Sequence, residues 1–115
     1  MSDANHYVWE PSPDLVAQSN LTAFLHATGH ANYDSLAAAA EADPAWLMGE
    51  VFKFCDVRFY KPYDTMLDTS RGEPWARWCV GGTTSIVLNC IDKHRDAPVW
   101  DQTFMVWEGE DKTEQ

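Results

Sequence analysis

The chain has 115 residues, the size of one ordinary domain. Its apolar content of 45% and six tryptophans argue against a disordered tail. A net charge of −10 argues against nonspecific binding to nucleic acid or to anionic membrane, both of which need a positive surface.

The first residues, MSDANHYVWEP, form an arm that Tyr7, Val8 and Trp9 can dock. They carry neither the basic nor the apolar region of a signal peptide, and no apolar run in the chain approaches membrane-spanning length. A cytoplasmic protein is therefore expected. The three cysteines, Cys55, Cys79 and Cys90, are far apart and odd in number, which reads as reduced, partly buried thiols.

SPDLVAQSNLTAFLHATG predicts one helix. Ser12 can cap it, Pro13 suits its first position, and Asp14 favours the positive end of its dipole. Ala17, Leu21, Phe24, Leu25 and Thr28 share a face at helical spacing, and Gly29 is a stop. YDSLAAAAEAD predicts a second, alanine-rich helix. Asp43-Pro44 repeats the cap-then-proline signal and opens a third, PAWLMGEVFKFC, with Leu47, Val51, Phe54 and Cys55 as its inner stripe. Helices joined this tightly should pack as a small helical unit.

From Val57 to Arg77 the periodicity ends. Prolines, a glycine and several aromatics predict an extended, surface-following segment pinned by its rings. Its length for a loop points to docking against something larger. Gly81 and Gly82 precede Thr83 or Thr84, either of which can cap a helix running to about His94. RDAPVWD is a turn, and TFMVWEG is expected to be a strand ending at Gly109. A single strand leaves its backbone groups unpaired on both sides. Either the Val57–Arg77 segment pairs with it, or its partner lies outside these residues. The fold class is therefore α+β and mostly helical.

Four constellations could carry chemistry. The Gly-Gly-Thr-Thr loop resembles the start of a phosphate cradle, but a P-loop needs a lysine at fixed spacing and none follows the glycines until Lys93. No strong strand is expected before it, so a sharp helix entry is the simpler reading. His26 and His30 have the i, i+4 spacing of a metal pair, yet Gly29 ends the helix between them and no third ligand is evident. His94 is expected at a helix C-terminus, where an imidazolium complements the dipole. Cys55 and Cys90 lie on apolar faces that favour packing over catalysis. Glu108, Glu110 and Asp111 form a solvated cluster. No catalytic, cofactor-binding or metal-ligating residue is assigned.

Several stretches together carry a resemblance. VWEPSPDLVAQSNLTAFL is similar to an opening Trp-x-Pro segment followed by a Ser-Asn-Leu/Ile-Thr-x-Phe helix. NYDSLAAAAEADPAWLMGEVFKFCDV is similar to a Tyr-x-x-Leu helix and a Pro-x-x-Phe-Trp-x-x-Val helix. ARWCVGGTTSIVLNCIDKHRDAPVWDQTFMVWEGED keeps Trp78, Gly82, Asn89, Asp92, His94, Trp107, Glu108 and Gly109 in step with a third run. These runs, covering nearly the whole chain, resemble the N-terminal region of the AMP-forming short-chain acyl-CoA synthetases, the acetyl-CoA synthetase-like members of the adenylate-forming superfamily. Cys79 stands where that family usually has phenylalanine, Thr84-Ser85 where it has Leu-Asn, and Lys93 where it has arginine.

The resemblance implies a ligase that makes an acyl-adenylate from ATP and a carboxylic acid, then passes the acyl group to coenzyme A. ATP, magnesium and coenzyme A would serve the full-length enzyme, and none is assigned to residues of this chain. The family's phosphate loop, adenine-binding motifs, hinge aspartate and adenylating lysine belong to later regions. Residues 1–70 are expected to be the N-terminal helical cap, and 71–115 the truncated start of the large AMP-binding domain. The chain is then expected to be a non-catalytic fragment, a truncated reading frame or one part of a split protein. Its partner would be the remainder of the synthetase, with no nucleic acid and no membrane. The alternatives are a free-standing interaction module that binds a synthetase or another protein, and a small metal or redox protein.

Overall fold

The computed structural model describes residues 8–110. The chain divides into two compact units, Met1–Cys55 and Asp56–Gln115. Within the described residues the fold is mostly helical, with one small antiparallel sheet.

The first unit holds four helices: α1 (Pro13–Ala17), α2 (Asn20–Thr28), α3 (Tyr33–Ala42) and α4 (Pro44–Phe54). The helix expected over Ser12–Gly29 is thus broken in two. Ser19 causes the break. Its hydroxyl accepts the Thr22 N–H at 3.1 Å, which caps α2, while the Thr22 hydroxyl donates to the Val16 carbonyl at 2.7 Å. A short polar side chain that serves backbone groups in this way competes with helix continuation. Ser12 still caps α1, and Pro13 occupies its first turn.

Gly29 ends α2 as expected, with φ of 74° and ψ of 20°. The His30 N–H reaches the Leu25 carbonyl at 2.9 Å, closing a Schellman turn that only a left-handed residue completes without strain. The Asn32 side chain accepts the Ser35 N–H at 2.9 Å to start α3, and Asp43 accepts the Trp46 N–H at 3.0 Å to start α4. The core of this unit is small. Phe24 and Leu36 are the buried hydrophobic residues, and Phe24 meets Phe54 edge-on with centroids 5.2 Å apart. Leu47 and Val51 of the expected inner stripe are half-buried, whereas Phe54 and Cys55 are exposed. Val8 and Trp9 of the expected docking arm are also exposed, and Tyr7 lies outside the described residues.

The second unit is built on a hairpin: β1 (Thr65–Asp68) pairs antiparallel with β2 (Arg77–Val80), in the register Thr65↔Val80, Leu67↔Trp78, Asp68↔Arg77. This corrects one sequence expectation, because a strand does precede the glycine pair. The extended Val57–Arg77 segment supplies the other strand, and the two pair with each other rather than with TFMVWEG. TFMVWEG, by contrast, is not a strand; only Glu108 occupies a bridge position. Its β-branched and aromatic composition is a preference for half-buried surface, and here Phe104, Met105, Val106 and Trp107 are left largely exposed.

The hairpin's long loop is held by Asp68, which accepts the Ser70 N–H at 2.9 Å and pairs with the Arg77 guanidinium directly across the ladder. Beyond β2, helix α5 (Ile86–Cys90) is capped by Ser85, whose hydroxyl accepts the Leu88 N–H at 3.0 Å. Neither Thr83 nor Thr84 is the cap, and the helix stops well short of His94. Ile91 leaves the helical region at φ −126°, and the chain continues as a 3-10 turn at Asp92–His94. A run of β-branched residues and asparagine gives such a short helix little intrinsic support. A last 3-10 turn, Pro98–Asp101, takes proline at its start.

Candidate functional site

The glycine loop has a purely structural geometry. The Gly82 N–H donates to the Cys79 carbonyl at 3.0 Å, closing a turn whose third residue, Gly81, has φ of 84°. A side chain at Gly81 would collide with the Asp64 carboxylate, and one at Gly82 would sit 3.0 Å from the Tyr63 β-carbon. After the turn the Thr83 N–H donates to the Lys61 carbonyl at 2.9 Å, and its carbonyl accepts the Tyr60 N–H at 2.8 Å. The amides of Gly82 and Thr83, which a phosphate cradle would aim at its anion, are therefore already satisfied. The loop does not fit a nucleotide phosphate.

Asn89, on α5, organises the backbone around the helix entry. Its side-chain oxygen accepts the Arg58 N–H at 2.7 Å, and its amide nitrogen donates to the Arg58 carbonyl at 3.0 Å. The same nitrogen reaches the Thr84 hydroxyl at 2.9 Å and the Ser85 carbonyl at 3.1 Å. Thr84 in turn donates to the Arg58 carbonyl at 2.7 Å. One amide thus clips the Arg58 backbone to the entry of α5. Nearby, Lys93 Nζ donates to the Asp56 carbonyl at 3.0 Å. Arg58 grips the Asp56 carboxylate through Nε at 3.1 Å and Nη2 at 3.0 Å, and this hydrogen bonding lowers the Asp56 pKa. Asp68 is held well below the usual carboxylate range, first by Arg77 and then by Ser70. These groups fasten backbone; they are not arranged as a proton-transfer pair.

The histidines and cysteines are dispersed. His26 lies in the last turn of α2, while His30, past the left-handed glycine, packs edge-on against Trp46 at 5.5 Å. Cys55 and Cys90, expected in apolar packing, are exposed and not disulfide-bonded; each sits at or just past a helix end, where the periodic face gives out. Cys79 is half-buried in β2 with a left-handed φ of 53°, and desolvation raises its thiol pKa. Among the described residues no group of three His, Cys, Asp or Glu side chains is placed to hold a metal ion. Glu108 and Glu110 are exposed, and Asp111 lies outside the described residues.

The main unexplained feature of the surface is apolar. An open cleft of about 370 Å³ is lined by Cys90, Ile91, His94, Val99, Trp100 and Phe104. Beyond it Phe104, Met105, Val106 and Trp107 are 69%, 67%, 71% and 53% exposed in succession. Consecutive exposed residues of this size mark an interaction surface more often than a monomer's exterior. Sequence reasoning identifies these residues as a strand but not as a surface. The signal available is an uncharged aromatic run in an otherwise strongly acidic chain. Among the described residues no helix is long and apolar enough to cross a membrane.

Comparison with known proteins connects these features. Residues 33–90, from α3 through the hairpin to the end of α5, match the family described as acetyl-coenzyme A synthetase N-terminus. The acetyl-coenzyme A synthetase of Chlorobaculum tepidum is 33% identical over 89 residues, which is 77% of this chain and 13% of that protein. The acetyl-coenzyme A synthetase of Methylobacterium radiotolerans is 37% identical over 86 residues, 73% of this chain and 13% of its own length. That of Serratia proteamaculans is 39% identical over 74 residues, 63% and 11% respectively. The chain therefore spans only a small part of the curated relatives it matches, 13% in the first two. No solved structure matches it.

Proposed function

The chain belongs to the acetyl-coenzyme A synthetase N-terminus family, and on that premise we propose that it is the N-terminal, non-catalytic portion of an ATP-dependent acid–thiol ligase. The complete enzyme would make an acyl-CoA from a short-chain carboxylate through an acyl-adenylate, in the cytoplasm. ATP, magnesium and coenzyme A would be held by the remainder of that enzyme, which is the partner of this portion. Residues 1–70 serve as its helical cap region, and 71–115 begin the large AMP-binding domain.

One observation carries this reading: residues 33–90 match the family's N-terminus, and within them the polar groups are spent on holding backbone. The Asn89 clip, the Asp68–Arg77 pair and the turn at Gly81 support a scaffold whose apolar surface faces something else. No step of adenylation or thiolation is assigned to these residues, because the glycine loop does not fit a phosphate.

ATP–pyrophosphate exchange with acetate, propionate or a longer acid tests it. The 115-residue chain alone should give no exchange above the no-protein rate. Turnover by this chain would refute its assignment as non-catalytic.

A further inference from the structure

We draw no further inference here: the strongest candidate, the open apolar cleft lined by Ile91, His94, Val99, Trp100 and Phe104, runs into the exposed stretch Phe104–Trp107, and nothing in the structure shows what covers it.

Discussion

The side chain of Asn89 treats Arg58 as a neighbouring strand would, accepting its N–H at 2.7 Å and donating to its carbonyl at 3.0 Å. The two residues are 31 positions apart, so this single amide ties the start of the second unit to α5. Replacing Asn89 by alanine should cost about 1–2 kcal/mol, the value of two or three lost hydrogen bonds at a partly exposed site. An aspartate at this position would keep the acceptor but set a carboxylate against the Arg58 carbonyl, so Asn89→Asp should not rescue. Urea midpoints of the two variants check this.

The turn after β2 should tolerate no side chain at its third position. Gly81→Ala puts a β-carbon on a φ of 84° and against the Asp64 carboxylate. A loss of roughly 2 kcal/mol or more is expected from strain and collision together. Gly29→Ala is a control with φ of 74° and open space around it, and should cost only about 1 kcal/mol. Adding Asp64→Ala to Gly81→Ala should recover the collision part and leave the strain. Thermal unfolding of the native chain and these variants separates the two contributions.

Acid should destabilise the hairpin through Asp68. Its folded pKa is depressed by Arg77 and Ser70, so its contribution is fully present above the unfolded value of about 3.9. That contribution is lost as pH falls below this value toward the folded one. Asp56, lowered by Arg58, acts in the same direction. Asp68→Asn should therefore be less stable than the native chain at about pH 7 and show a shallower fall below about pH 4. Urea midpoints from neutral pH down to about pH 2 give the comparison.

The thiols should react in a fixed order. Cys55 and Cys90 are exposed, and Cys79 is half-buried with its pKa raised by desolvation. Thiolate is the reactive form, so a disulfide reagent at about pH 8 should label Cys55 and Cys90 well before Cys79. Peptide mapping after timed quenching reads the order. Equal rates at all three would contradict the packing of β2.

Helix ends are the most legible part of the sequence. Ser12-Pro13, Asp43-Pro44 and Gly29 each do locally what their chemistry dictates, because a cap needs only neighbours a few residues away. The break at Ser19 escapes a reading by periodicity, because the apolar face runs on through it and a hydroxyl that prefers the backbone leaves no periodic trace. The hairpin is hidden for a different reason. TMLD and RWCV show little alternation, and their pairing rests on Asp68 and Arg77 meeting across a loop that spacing alone cannot close. The strand expected at TFMVW illustrates the converse, since strand composition creates a sheet only where a partner exists. The family is legible because scattered positions such as Gly82 and Asn89 are fixed by close approach and by backbone clipping, requirements that few residue types meet.

The Cys79–Gly82 turn also decides how the loop meets solutes. With the Gly82 and Thr83 amides each bonded to a carbonyl, an arriving anion must first evict an internal acceptor. In a titration with inorganic phosphate followed by amide NMR, those two resonances should stay still while amides beside exposed lysines respond. A loop that reads like a hand is, chemically, a closed fist.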